Sequence, residues 1–135
     1  MILLDTSAAV ALVVADHSGH DAVSRRVGRR RLGLAGHAWF ETMSVLTRLP
    51  GAARRPVTEV HRLLEHDFPE TEFLGAREAR RLADLLPHLG IAGGSVYDAL
   101  VGYAAAVHGR PLLTRDRRAL DTDRALDVEL IVVDE

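Results

Sequence analysis

Four acidic residues follow or interrupt apolar segments of the chain. Asp5 directly follows the apolar run of residues 1–4, and Asp116 lies just beyond a second apolar run. Glu41 lies within an apolar segment, and Asp98 begins the most apolar segment of the chain. A charge in apolar surroundings is costly unless it is paired or binds a cation. Because Mg²⁺ and Mn²⁺ prefer hard oxygen ligands, the four carboxylates together indicate a divalent-cation site.

Each acid also has a purely structural interpretation. Asp5 can cap the helix that follows it, although the two hydroxyl residues after it compete for that place. Asp98 can stabilise a helix N-terminus electrostatically, and Asp116 can begin a short helix. Glu41 can pair with an arginine or face water. Taken together, however, four carboxylates without lysine partners would repel one another unless a cation neutralised them.

The composition narrows the chemistry further. The chain has 135 residues, with 17 basic residues against 19 acidic ones, and it contains neither cysteine nor lysine. A P-loop and Schiff-base chemistry both need a lysine, and a thiol nucleophile or a disulfide needs cysteine. The net charge of −2 also argues against a broadly basic nucleic-acid coat protein. Carboxylates, histidines and arginines must therefore perform any chemistry.

Alternating strands and helices position these residues in a single domain over residues 1–135. The apolar runs predict strands at residues 1–4, 32–35, 111–114 and 129–133, with a weak candidate at 71–74. Helices are predicted at residues 8–15 (capped by Thr6 or Ser7), within 16–31, and at 37–49, 57–67, 76–86 (ended by Pro87), 95–107 and, as a short helix or turn, 115–120. This order favours an α/β fold with a mostly parallel sheet, whose working site lies beyond the carboxyl ends of the strands.

The order and spacing of the motifs resemble those of the PIN-domain ribonucleases, and especially the VapC-type toxins of bacterial toxin–antitoxin pairs. The likeness rests on Met-Ile-Leu-Leu-Asp-Thr-Ser at the start, Glu41 in the early helix, Tyr-Asp-Ala-Leu around Asp98 and Leu-Leu-Thr-Arg-Asp ending at Asp116. It implies a three-layer α/β/α fold, with about four or five short strands surrounded by about seven helices.

The resemblance also implies roles for particular residues. Four acids would form the catalytic metal pocket, namely Asp5, Glu41, Asp98 and Asp116. Asp5 and Asp98 would bind Mg²⁺ or Mn²⁺ directly, while Ser7 and Thr114 would line the pocket. A water would then attack an RNA phosphodiester and leave 5′-phosphate and 3′-hydroxyl ends. The usual targets of such toxins are tRNA or rRNA. One expected partner is a second copy of the chain, with which it would form a homodimer. The other is a cognate VapB-like antitoxin, with which it would form a larger toxin–antitoxin complex.

Other residues near the motifs have more than one possible role. Three arginines flank Asp116 and can hold RNA phosphates, although they also suit a solvated charged face: Arg115, Arg117 and Arg118. His37 stands four residues before Glu41, and whether it reaches the pocket is open. Asp121 and Asp123 are expected at the surface. The aromatic residues Trp39, Phe40 and Tyr97 are expected to pack in the core rather than to stack on bases.

Two other functions remain as alternatives. A receiver-like signalling domain shares the size and the acids at the sheet edge, but it needs a late lysine that this chain lacks. A non-catalytic, partner-binding PIN relative would keep the fold without the activity. The apolar run at residues 8–15 is much shorter than the ~20 residues of a membrane span, and no targeting segment is visible. We therefore expect a cytoplasmic protein.

Overall fold

Four short parallel strands run through the centre of the computed structural model, which describes residues 1–134. The strands are β1 (Ile2–Leu4), β2 (Leu32–Leu34), β3 (Leu112–Thr114) and β4 (Leu130–Val132). They lie in the order β2-β1-β3-β4, so the first and third strands are neighbours at the centre of the sheet. The carboxyl ends of these two strands consequently meet at the same edge.

Helices cover both faces of the sheet. Within residues 1–134 they are α1 (Thr6–Val13), α2 (His20–Val27), α3 (Ala38–Thr47), α4 (Val57–Asp67), α5 (Ala76–Leu89), α6 (Ser95–Val107) and α7 (Leu120–Ala125), with 3-10 turns at Gly51–Ala53 and Arg117–Ala119. The helices α1 to α4 pack on one face, and α5 and α6 pack on the other. This three-layer arrangement confirms the predicted α/β fold. None of the helices in the described part of the chain is long and apolar enough to cross a membrane.

The apolar strands follow from this double coverage. Leu4 and Leu113 pack in the core beneath α1 to α4, whereas Leu3 and Leu112 pack in the core beneath α5 and α6. All four side chains are essentially buried. A strand that is buried on both faces needs apolar residues at consecutive positions. The two apolar runs therefore end where the sheet ends, and the polar residues that follow reach its edge.

Several helix bounds differ from the sequence prediction, including α7, which begins where the helix predicted at residues 115–120 would end, and two of the differences have a clear cause. Asp5, and neither of the hydroxyl residues after it, caps α1 by accepting a hydrogen bond from the Ala8 backbone, and the helix then ends at Val13. The helix α5 continues through Pro87 to Leu89, where the left-handed Gly90 ends it. A proline in the last turn removes only one backbone hydrogen bond, so it does not end the helix.

The weak strand predicted at residues 71–74 does not form. Instead, the backbone runs beside β2, with the amides of Glu70 and Glu72 donating to Leu32 and Leu34, and a single β-bridge joins Ala35 to Glu72. Gly33 permits this approach. A Cβ at Gly33 would stand 2.2 Å from the Glu70 carbonyl oxygen, which is far inside van der Waals contact.

Replacing Gly33 with alanine should therefore destabilise the fold. We expect Gly33→Ala to lower the free energy of unfolding by at least about 2 kcal/mol, because the added methyl group meets backbone that cannot rotate away. Urea denaturation would measure the change. Gly94→Ala is the matched control, since Gly94 has helical dihedral angles and no atom within 4 Å of an added Cβ. Equal stabilities for the two variants would contradict this account.

Candidate active site

A cavity of about 300 Å³ opens at the carboxyl edge of β1 and β3. The backbone amide of Asp5 donates to the Leu113 carbonyl, which holds the residue after β1 beside the end of β3. Five acidic side chains and one arginine line the cavity, namely Asp5, Glu41, Asp98, Asp116, Asp123 and Arg118. The structure thus brings together all four acids singled out in the sequence and adds a fifth.

Asp5 accepts hydrogen bonds from three different residues. Its Oδ1 accepts hydrogen bonds from Ser7 Oγ at 2.7 Å and from the Ala8 amide at 2.9 Å, and its Oδ2 accepts one from Thr114 Oγ1. Ser7 Oγ in turn accepts from the Arg115 amide at 3.0 Å. The two predicted pocket-lining hydroxyls thus both donate to the Asp5 carboxylate, and they fix its orientation.

Burial dominates the electrostatics of Asp5. Only 9% of the residue is exposed, and this burial raises its pKa despite the three hydrogen bonds that favour the charged form. The neighbouring Asp116 carboxylate raises it further. The site consequently holds a carboxylate whose negative charge is poorly compensated, and a nearby cation would stabilise that charge.

Glu41 and Asp98 reach the cavity from the first turns of two different helices. Glu41 lies in α3 and accepts a hydrogen bond from Thr6 Oγ1 at 2.9 Å. Asp98 lies in α6, where burial first, and then the charges of Asp116 and Glu41, raise its pKa. The helix N-termini favour negative charge, but the carboxylates in the cavity repel one another.

Asp116 is paired with an arginine. Its two carboxylate oxygens accept from Arg118 Nε at 3.2 Å and Nη2 at 3.1 Å, and its Oδ1 also accepts from the Arg118 amide. The guanidinium group is mostly exposed, which places a positive charge at the mouth of the cavity. Among the three arginines considered for RNA binding, Arg118 lines the cavity, whereas Arg117 pairs with Asp134 and Arg115 contacts Ser7 through its backbone.

Asp123 was expected at the surface, and that expectation is wrong. Only 2% of the residue is exposed, and its carboxyl lines the cavity. Burial, and then the charges of Asp5, Asp98 and Asp116, raise its pKa to about 7. The residue spacing contained the signal: Asp123 is three residues from both Leu120, which begins α7, and Leu126, which directly follows α7, and both leucines are buried. Asp121, which does not share this spacing, is fully exposed as predicted.

The aromatic residues near the site also depart from expectation. Phe40 is 56% exposed and Tyr97 is 54% exposed, so neither packs in the core, whereas Trp39 is partly buried against it. His37 stacks on Tyr97 with ring centroids 5.6 Å apart, and Phe40 lies 6.0 Å from Phe73. We call Phe40, Phe73, Tyr97 and His37 the aromatic patch. It borders a second cavity, lined by His37 and Phe40, that shares Thr6 and Glu41 with the acidic one.

The donor set of the acidic cavity suits a divalent cation. Asp98 and Asp123 both have pKa values raised partly by other carboxylates of the cavity, and a bound cation would relieve that repulsion. In residues 1–134, no three His, Asp or Glu side chains converge as a ready-made ion cage. Mg²⁺ does not need such a cage, because it commonly keeps several waters and takes one or two carboxylates directly. Asp5 and Asp98 can serve as those two.

Comparison with known proteins identifies the family. The model of the PIN domain matches residues 2–125 of the chain. The chain belongs to the PIN-domain family. Two relatives from Mycobacterium tuberculosis are 43% identical: "Ribonuclease VapC27", over 97% of this chain and 96% of the relative, and "Ribonuclease VapC40", over 98% and 99%. The resemblance to VapC-type proteins is thereby confirmed, and the receiver-like alternative is wrong.

Solved structures share the PIN fold. A structure of FitAB bound to the IR36 DNA fragment has a TM-score of 0.71 at 16% identity, covering 98% of this chain and 94% of that chain. VapBC2 from Rickettsia felis, bound to a DNA fragment from its promoter, has a TM-score of 0.69 at 14% identity, covering 99% and 100%. FitAcB from Neisseria gonorrhoeae has a TM-score of 0.68 at 18% identity, covering 97% and 96%. At these identities the likeness concerns the fold alone.

The pKa of Asp123 predicts how stability depends on pH in the metal-free PIN domain. Since the pKa rises from 3.8 to about 7 on folding, the folded protein binds more protons than the unfolded chain between these values. The stabilising contribution is complete below pH 3.8 and is lost as the pH rises through about 7. In EDTA, the free energy of unfolding of wild type should therefore fall by up to about 1.4 kcal/mol for each pH unit between these values. That of Asp123→Asn should not show this fall, so the variant should become more stable relative to wild type as the pH rises.

Urea denaturation at several pH values from 5 to 8 would measure this difference. Asp121→Asn is the matched control, since it removes the same charge from a fully exposed side chain two residues away. A constant difference between Asp123→Asn and wild type across this range would contradict the electrostatic account of the cavity.

Proposed function

We propose that the chain is the toxin of a type II toxin–antitoxin system and acts as a Mg²⁺- or Mn²⁺-dependent endoribonuclease. The observation that carries the proposal is that five carboxylates line one cavity at the sheet edge. Two relatives named ribonucleases, similar over nearly their whole length, support the same activity. The cavity contains no cysteine, and the proposed reaction needs no side-chain nucleophile.

Different residues of the cavity would have different roles in the hydrolysis. When bound, a divalent cation supplies Lewis acidity toward the phosphate and lowers the pKa of an attacking water. Asp5, held by Ser7 and Thr114, and Asp98 in the first turn of α6 would hold that cation. Glu41 and Asp116 would orient water by accepting hydrogen bonds from it. Attack of the water on phosphorus breaks the bond to the 3′-oxygen, which leaves 5′-phosphate and 3′-hydroxyl ends.

Arg118 would bind the phosphate. Its guanidinium group lies at the mouth of the cavity and already contacts a carboxylate through two nitrogens, which is the geometry that also suits a phosphate. Arg115 and Arg117 lie on the same segment and would contact phosphates further along the RNA. The substrates implied by the resemblance are tRNA or rRNA.

A small VapB-like antitoxin is the proposed inhibitor. Two of the structures that share the fold are the named complexes FitAB and VapBC2, each bound to DNA. A VapB-like partner would neutralise the toxin in the cytoplasm, and the two proteins would form a larger complex. The acidic cavity favours an inhibitor with a basic side chain, which would neutralise the carboxylates as a cation does.

Replacing Asp98 should abolish RNA cleavage. We expect Asp98→Asn to cleave RNA at least about 100-fold more slowly than wild type in Mg²⁺, because it removes a proposed metal ligand. The measurement is the initial rate of cleavage of labelled RNA, with product ends assigned by phosphatase and ligase sensitivity. Asp121→Asn, with a fully exposed side chain outside the cavity lining, should cleave like wild type.

Three results would contradict the proposal. Undiminished cleavage by Asp98→Asn would exclude the carboxylate mechanism, and cleavage by wild type in EDTA would exclude metal dependence. If wild type cleaves no RNA but binds an antitoxin, the chain is the non-catalytic PIN relative.

We also propose that the chain forms a homodimer through the aromatic patch. Exposed aromatic side chains are enriched at protein interfaces, and an apolar surface of this kind tends to be covered in solution. The patch borders the second cavity, which shares Glu41 with the acidic cavity. A dimer formed at the patch would therefore bring two active sites close together.

Polar replacement within the aromatic patch should weaken the dimer. We expect Phe40→Ser to shift wild-type dimers toward monomers, since Phe40 is 56% exposed in the isolated chain and contacts two other rings of the patch. Light scattering coupled to size exclusion would measure the mass. Val57→Ser serves as the control, because Val57 is 62% exposed at the start of α4. A monomeric wild type, or a Phe40→Ser variant that stays dimeric, would overturn this assignment.

A further inference from the structure

Asp123 combines deep burial with a carboxyl group that has no hydrogen-bond donor. It is 2% exposed, yet no group within residues 1–134 donates a hydrogen bond to its carboxylate. Asp5, by comparison, is also buried but accepts three hydrogen bonds. A buried polar group without a partner is strongly disfavoured unless something else compensates it. The Asp123 carboxylate lines the cavity, so a ligand there would supply the partner that the protein does not.

The packing around Asp123 makes room for its carboxylate. Gly102 lies in the middle of α6, and a Cβ at that position would stand 2.4 Å from Asp123 Oδ1 and 3.3 Å from Val128 Cγ2. Glycine in a helix interior costs about 1 kcal/mol relative to alanine. Here the missing side chain leaves the space that the carboxylate oxygen occupies. The carboxyl group thus sits between the α6 backbone and the acidic cavity that it lines.

We propose that Asp123 is a fifth carboxylate of the cation site and binds Mg²⁺ or Mn²⁺ at the inner wall of the cavity, directly or through one bound water. The inference rests on the proposed function, because it assigns a further residue to the same site. Three charges of that site, on Asp5, Asp98 and Asp116, act on Asp123. A cation between these groups satisfies the carboxylate that the protein leaves without a donor.

A purely structural role for Asp123 makes a different prediction. If the residue only filled space in protonated form, Asp123→Asn would keep its shape and leave cation binding unchanged. If it binds the cation, directly or through water, the same variant should bind Mn²⁺ at least about tenfold more weakly, because losing even an outer-shell partner of a metal site costs about 10- to 100-fold in affinity. Affinity for the cation thus separates the two roles without any measurement of activity.

The experiment titrates the full-length, demetallated protein with Mn²⁺ and follows free Mn²⁺ by its electron paramagnetic resonance signal. Four proteins are compared: wild type, Asp123→Asn, Asp121→Asn and Asp98→Asn. We expect Asp123→Asn and Asp98→Asn to lose at least about tenfold in affinity, and Asp121→Asn to match wild type. Circular dichroism of each variant verifies that it is folded.

A second variant displaces the carboxylate instead of removing it. Gly102→Ala puts a methyl group where Asp123 Oδ1 lies, and it suits a helix, so the variant should fold. We expect it to weaken Mn²⁺ binding as well. If both variants bind Mn²⁺ like wild type while Asp98→Asn does not, the assignment of Asp123 is overturned and the proposed function stands. If wild type binds no Mn²⁺, or if Asp98→Asn binds it as tightly as wild type does, both proposals fail.

Discussion

Like-charge repulsion among buried and half-buried carboxylates is the constraint on which this site depends. The sheet places Asp5 directly beyond β1, and the order β2-β1-β3-β4 puts the end of β3 beside it. Helices α3 and α6 then add Glu41 and Asp98 from their first turns. Each acid is held by the fold, so none can move far from the others. The resulting concentration of negative charge is unfavourable in the protein alone and favourable around a cation.

The rest of the local structure compensates for part of this repulsion. Ser7, Thr114 and the Ala8 amide donate to Asp5, and Thr6 donates to Glu41. Arg118 pairs with Asp116 and also favours the charged form of Asp98. These contacts orient the carboxylates, but burial still keeps the pKa of Asp5 above its ordinary value. The acidic cavity therefore retains unfavourable electrostatic interactions, as binding sites commonly do.

The sequence was sufficient to predict the fold class and four of the five acids, for identifiable reasons. Strands buried on both faces read as apolar runs, so the acids Asp5 and Asp116 marked the sheet edge directly. Asp123 was missed because α7 is only six residues long and its periodicity is short. Phe40 and Tyr97 were misjudged because aromatic residues are usually buried, and only the tertiary structure shows that these two lie outside the core. The bridge at Glu72 depends on the close approach at Gly33, which is likewise a tertiary effect.

The free energy of unfolding at neutral pH, with and without Mn²⁺, tests the central claim most directly. A ligand that binds only the folded protein stabilises it by about 2.7 kcal/mol at a concentration 100 times its dissociation constant. If the carboxylates form a cation site, Mn²⁺ at that concentration should raise the free energy of unfolding of wild type by about this amount, and that of Asp98→Asn, which binds at least about tenfold more weakly, by at most about 1.4 kcal/mol. Equal stability of wild type with Mn²⁺ and with EDTA would contradict the account.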